Sequence, residues 1–192
     1  DEPCARSAAT VMGARHSWVS EWREAFRRYY EEVSGGESAT MTYVPKVAVD
    51  DWDDDGIYEA CGETLDGRWA VDLRRQNTSA GPHRDELLLT LVDGENELEV
   101  REFGSGGQRR TAALALRLVE GDTIHRARNS APVLLLDDSF AELDDARRER
   151  VFGLMGQDRF GQVIITAPKE SDVALQGDAL PRWGIHEGRI CA

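Results

Sequence analysis

Four consecutive apolar residues, Val133 to Leu136, run directly into two carboxylates, Asp137 and Asp138. A continuous apolar run of this kind predicts a strand buried on both faces, as in parallel sheets. Acids at its C-terminal end lie where open α/β sheets bind their ligands. In nucleotidases such a strand supplies one acid to magnesium, directly or through water, and a second acid that can orient a water. The same residues also describe a core strand ending in a solvated acidic turn. The strand by itself leaves both readings open.

The chain of 192 residues is one ordinary domain or two small ones, long enough to bury a core. Its formal net charge of −13 is spread along its length: residues 1–80 carry 9 basic and 16 acidic side chains, residues 81–192 carry 14 and 20. With no basic half to grip a phosphate backbone, contact with nucleic acid would need a local patch, a partner or further polypeptide. Cys4, Cys61 and Cys191 are far apart and form no Cys-x-x-Cys, which argues for a reducing compartment and against a zinc or disulfide framework. No apolar run approaches the roughly 18 residues that span a bilayer. The first residues, Asp1-Glu-Pro-Cys4, show no signal-peptide pattern and read as the middle of a longer chain or a processed end.

Residues 4–34 carry apolar side chains at spacings of three and four and end at Gly35-Gly36, which predicts a long helix. It is either a coiled-coil arm or an amphipathic core helix. Thr40–Val44 alternates as a strand. Asp50–Asp55 reads as a solvated acidic turn, because Gly56 and Cys61 break a calcium-loop template. Residues 56–76 suggest helix. Gly81–Leu87 is a turn into a strand over Leu87–Val92, with a hairpin turn at Asp93–Asn96 and a return over Leu98–Arg101. His83 beside Arg84 could be catalytic, but a structural turn is the better reading of the motif in isolation. Ser105-Gly-Gly-Gln108 opens a second long helix with Ser105 as N-cap, and its glycines leave N–H groups bare at the positive end of the helix dipole. No Gly-x-x-x-x-Gly-Lys-Ser/Thr pattern occurs. Glu142–Met155 is an amphipathic helix, Gly161–Thr166 a second buried strand, and Arg182–Ile190 a terminal hairpin. Two β-α units and a hairpin predict an α/β sheet.

The order Ser105-Gly-Gly-Gln108, then Leu136-Asp-Asp138 with Glu142-Leu-Asp144, then a strand ending at Thr166 resembles the C-terminal half of an ABC-type (P-loop, SMC-like) ATPase head: signature motif, Walker B, D-loop and switch strand. Within that group the chain resembles the RecF family. Gly81-Pro-His-Arg-Asp-Glu-Leu87 is similar to that family's Gly-Pro-His-Arg-Asp-Asp/Glu-Leu element, and Ser105–Leu118 and Leu136–Arg147 are similar to its signature helix and Walker B block. The resemblance covers essentially the whole chain. It implies an α/β half head over 79–192, with a helical arm and lobe II-like region over 1–78. Two departures stand out: the Walker A loop is missing, and Gly104 precedes the signature serine where many members carry an apolar residue.

What the resemblance implies about function follows from the family. ATP and Mg2+ are the expected cofactors. Asp137 would hold the metal, Asp138 would polarise water, and Thr166 would stand at the switch position. Ser105, Gly106, Gly107 and Gln108 would meet the γ-phosphate held by a second subunit, with Asp144 at the dimer seam. The implied protein is a slow, bacterial, cytoplasmic and nucleoid-associated ATPase that forms an ATP-dependent homodimer on duplex or gapped DNA. It would act with RecR and RecO to help load RecA. Other classes remain open: a different SMC-like ATPase of defence or chromosome organisation, or an interaction fragment without turnover.

Overall fold

The structure is a computed structural model and describes residues 2–140, 143–156, 160–169 and 181–191. Helix α1 spans Glu2–Ser34 and is followed by strand β1 (Ser38–Val44), helix α2 (Asp54–Arg75), a 3-10 turn (Pro82–Arg84), and strands β2 (Glu86–Asp93) and β3 (Asn96–Glu99). Then come a one-turn helix α3 (Val100–Phe103), α4 (Gly106–Arg128), β4 (Val133–Asp137), α5 (Asp145–Met155), β5 (Gln162–Thr166), and the terminal strands β6 (Gly184–His186) and β7 (Arg189–Cys191).

The long N-terminal helix serves two cores. Ala5, Ala8, Ala9 and Met12 pack with Ile57 and Cys61 of α2 and with Val47 and Ala80. Further along, Val19, Phe26, Tyr29, Tyr30 and Val33 pack with α4, β4 and α5. The first half thus has a helical partner, and the second half is an amphipathic core helix. Polar bonds add register: Trp18 Nε1 donates to Thr123 Oγ1 at 3.0 Å, and the Tyr29 hydroxyl donates to Asp122 at 2.5 Å. The helix ends where Gly35 takes φ 85°, a left-handed conformation that glycine adopts without steric cost. A side chain there would also collide with the Arg150 guanidinium, which donates to the Val33 carbonyl at 3.3 Å.

The acidic segment ends in a cap. Asp53 accepts the Gly56 N–H at 2.7 Å and starts α2, with Asp54 and Asp55 in the first turn where the dipole favours negative charge. The first three strands form an antiparallel sheet in the order β1-β2-β3. The return strand is shorter than the sequence predicts. Val100 and Arg101 belong to α3, because the buried Val100 turns into the core and its carbonyl accepts the Gly104 N–H.

Strands β4 and β5 pair in parallel, joined by the crossover through α5, with Asp137 opposite Thr166. Two expectations need correction here. Neither strand is buried on both faces: Leu134 and Leu136 are buried, while Val133 and Leu135 are 55% and 66% exposed and Ile164 is 43% exposed. The helices cover one face of this two-stranded ladder, and nothing among the described residues covers the other. The helix predicted from Glu142 begins at Asp145, and Glu142 itself lies outside the described residues.

The one-sided burial makes a test. Leu136→Ala should destabilise the chain by about 2–4 kcal/mol in urea unfolding, whereas Leu135→Ala should change stability by less than about 1 kcal/mol. Equal losses would contradict the alternating burial.

Candidate functional site

The parallel register brings three predicted residues together at the C-terminal edge of β4 and β5. Thr166 donates its hydroxyl proton to Asp137 Oδ1. The same Thr166 oxygen accepts the Asp138 N–H at 3.2 Å. One hydroxyl therefore ties the side chain of the first acid to the backbone of the second. Asp138 takes φ 47°, in the left-handed region that costs most non-glycine residues and that aspartate tolerates better than most. The strand ends abruptly at this residue. Ser139 Oγ donates back to the Asp137 carbonyl at 3.2 Å, and Arg110 of α4 donates to the Asp138 carbonyl at 2.7 Å. Arg110 thereby joins α4 to the acidic strand end within one chain.

The other predicted residues form a second cluster. Ser105 caps α4 in a full capping box: its hydroxyl oxygen accepts the Gln108 N–H at 3.2 Å, and Gln108 Oε1 accepts the Ser105 N–H at 2.9 Å. That box uses the N–H groups of Ser105 and Gln108. Gly106 and Gly107 occupy the first helical turn, where N–H groups have no intrahelical acceptor and can meet an anion. The Ser105 hydroxyl keeps its proton for donation. Gly104 also has a local reason: a β-carbon there would lie 2.4 Å from the Val100 carbonyl oxygen, so the tight approach from α3 leaves no room for a larger residue.

Two residues outside the expected site bind this cluster to Asp144 at the start of α5. Gln108 Nε2 donates to Glu37 Oε2 at 2.9 Å, and Arg147 Nη2 donates to Glu37 Oε1 at 3.0 Å. Arg147 also grips Asp144, through its backbone N–H at 2.8 Å and Nη1 at 2.9 Å. A continuous polar chain thus runs Ser105–Gln108–Glu37–Arg147–Asp144. The Arg147 side chain is only 18% exposed, so its bonds are charge-assisted and shielded. A β-carbon at Gly107 would sit 3.3 Å from Arg147 Nη1, which keeps that position small. The Tyr30 hydroxyl lies buried beside Glu37 without a hydrogen bond of good geometry; burial, then the Glu37 charge, push its pKa up. Arg147 falls inside a recognised motif, but Glu37 lies 110 residues away in sequence and carries no motif signal.

The Gly81–Leu87 element is a structural knot. Gly81 takes φ 125°, and Arg84 N–H donates to its carbonyl at 2.9 Å to close the turn. The fully buried Asp85 carboxylate accepts from the Tyr43 hydroxyl, from the Lys46 N–H at 2.9 Å, and lies 3.9 Å from Arg15. Burial, then Asp85, raise the Tyr43 pKa. His83 contacts the Thr78 carbonyl at 3.1 Å, which supports the structural reading of this turn.

Among the described residues no group of three or more His, Cys, Asp or Glu side chains could hold a metal. The adjacent Asp137 and Asp138 nonetheless suit magnesium, which takes one or two carboxylates and fills its shell with water and substrate phosphates.

Asp144 is the N-cap of α5, and the Arg147 N–H, followed by its guanidinium, holds the carboxyl below the usual carboxylate range. Asp144→Ala should cost about 1 kcal/mol near neutral pH. With the folded-state pKa below the unfolded one, the cap's contribution is complete above the unfolded value of about 4 and is lost as pH falls through the folded value. The gap between wild type and variant in urea unfolding should therefore narrow on acidification. A gap independent of pH would remove the charged cap.

No family model matches the chain. The curated protein "DNA replication and repair protein RecF" of Gloeobacter violaceus is 34% identical over 167 residues, covering 86% of this chain and 43% of that protein. Its namesake in Streptomyces avermitilis is 34% identical over 193 residues, covering 99% of this chain and 49% of its own length. The chain thus spans about half the length of the curated relatives it matches. Among solved structures, the recombination mediator protein RecF-ATPrS of the RecFOR pathway superposes with TM-score 0.75 at 28% identity, over 99% of this chain and 48% of that one. An SMC ATPase structure shares the fold, with TM-score 0.55 at 18% identity. With the ordered motifs carried on a matching fold, the chain is similar to RecF proteins over about half of their length and corresponds to a RecF C-terminal portion.

Proposed function

We propose that this chain is the signature and Walker B half of an ATP-dependent DNA-binding ATPase of recombinational repair and replication. The observation that carries the reading is the Thr166 bridge between Asp137 and Asp138, tied by Arg110 to the signature helix. The apolar face formed by Val133, Leu135 and Ile164 supports a second element of the reading. It suits docking of the phosphate-cradling half, which the chain's own motifs do not include.

In this reading Asp137 would hold Mg2+ and Asp138 would accept a proton from the attacking water. Magnesium there would neutralise charge on the phosphate oxygens. The Thr166 hydroxyl, which bonds both Asp137 and the Asp138 N–H, would take the switch role at this edge by bonding a phosphate oxygen. Ser105, Gly106 and Gly107 meet the γ-phosphate of a nucleotide held by a second copy, through a hydroxyl and two N–H groups. Gln108 acts behind them, because both ends of its amide are already engaged. The polar chain to Asp144 passes that contact to the D-loop at the seam. Closure of such a homodimer would hold duplex DNA or a single-strand gap junction, with RecR and RecO as partners in loading RecA. Residues 79–192 supply the head and 1–78 the arm and lobe II-like region. No helix among the described residues is long and apolar enough to cross a membrane, and the reading places the protein in the bacterial cytoplasm at the nucleoid.

Two variants of the protein that carries both halves test this. Ser105→Arg should abolish ATP-driven dimerisation in light scattering while leaving ATP binding to each protomer intact. Asp138→Asn should slow hydrolysis by about a hundredfold and prolong the dimer. Normal dimerisation by the first, or normal turnover by the second, would overturn the assigned roles.

A further inference from the structure

Lys46, Arg75, Asn77, Ser79, Arg84 and Glu86 line a cavity of about 470 Å³ between the end of α2, the Gly81–Leu87 turn and the start of β2. Three cations face one carboxylate there, in a chain whose net charge is −13. None of these residues belongs to the strand-end site or the signature cluster.

The pocket is held by bonds that leave its cationic ends available. Asp85 accepts the Lys46 backbone N–H and so fixes the position from which the ammonium extends. Arg84 uses Nε to hold the Thr78 carbonyl at 3.3 Å, a bond in which its two terminal nitrogens take no part. Arg75 is the last residue of α2, and Gln76 at φ 52° reverses the chain so that Asn77 and Ser79 return to the same wall. Asp72 anchors that return by accepting the Ser79 N–H at 3.1 Å. Glu86 lies 3.9 Å from the Lys46 ammonium, beyond hydrogen-bond distance, so it offsets one charge without closing the pocket.

We propose that this pocket is a phosphate-binding site that takes a phosphodiester of a nucleic acid backbone. The proposal rests on the reading that the protein works on DNA. Two guanidinium forks and an ammonium supply charged donors and Asn77 supplies a neutral one, a set that suits phosphate oxygens, while the Ser79 hydroxyl is held in the wall by accepting from Arg68 at 3.3 Å. The lining cations are exposed, and an open polar pocket suits a polymer passing across it better than a small molecule that needs enclosure. At physiological ionic strength charges beyond about 8 Å are largely screened, so this locally positive spot can accept a phosphate that the whole acidic chain would repel.

The test is fluorescence anisotropy with a fluorescein-labelled gapped duplex across a salt series, with and without ATP. The Lys46→Gln/Arg75→Gln double variant changes exposed side chains, and circular dichroism checks its fold. It should bind about tenfold more weakly near physiological salt, and the slope of log Kd against log salt should fall by about two. Glu86→Gln should tighten binding severalfold. Duplex binding by the double variant with wild-type affinity and slope overturns this site and leaves the DNA reading standing. A wild type that binds no duplex under any of these conditions overturns both. A wild type that holds pyrophosphate in calorimetry but no duplex marks a small-anion site and overturns the phosphodiester assignment.

Discussion

The pairing of β4 with β5 in one parallel register fixes the geometry of the acidic strand end. Asp137 meets Thr166 only because Leu134 and Leu136 face the helices, where Val163 and Ile165 also pack. A slip of one residue would turn Leu134 and Leu136 out of the core and carry Thr166 away from Asp137. The core thus enforces the site: the apolar residues that stabilise the ladder also fix a hydroxyl between two acids. The left-handed turn at Asp138 is an opposing cost, and bonds from Thr166, Ser139 and Arg110 surround it.

Helix α1 gives that ladder its support. It is a common wall for two cores, one shared with α2 and the other with α4, β4 and α5. Its C-terminal end feeds Glu37 into the contact between the signature helix and α5. The polar chain from Ser105 to Asp144 is therefore stabilised by the same helix whose aromatic residues fill the main core. Displacement of Ser105 and Gln108 would be felt at Asp144 without passing through the acidic strand end. Arg110 supplies a separate link, from α4 to that strand end.

Much of this was legible in the sequence. Apolar spacing gave the helices, the Asp-Gly turn gave the β2–β3 hairpin, and the two apolar strands ending at Asp137 and Thr166 gave the parallel unit that brings those residues to one edge. Three things were not legible, for physical reasons. A run of four apolar residues has no period, so it cannot report which face is covered, and Val133 and Leu135 prove exposed. Val100 fits a strand by composition, but the tight approach between Gly104 and the Val100 carbonyl selects a helical turn. Glu37 follows a glycine pair with no motif around it, and only the fold brings it to Gln108 and Arg147.

If Asp137 is the metal acid, manganese can replace magnesium as a spectroscopic probe. Electron paramagnetic resonance of Mn2+ with ATP, on the protein carrying both halves of the head, reads the metal site without relying on hydrolysis. One Mn2+ bound per protomer, weakened about tenfold or more by Asp137→Asn, is the predicted result, following the usual sensitivity of metal sites to their ligands. Undiminished Mn2+ affinity in Asp137→Asn would contradict the account, because the strand on which it is built would then not be the metal strand.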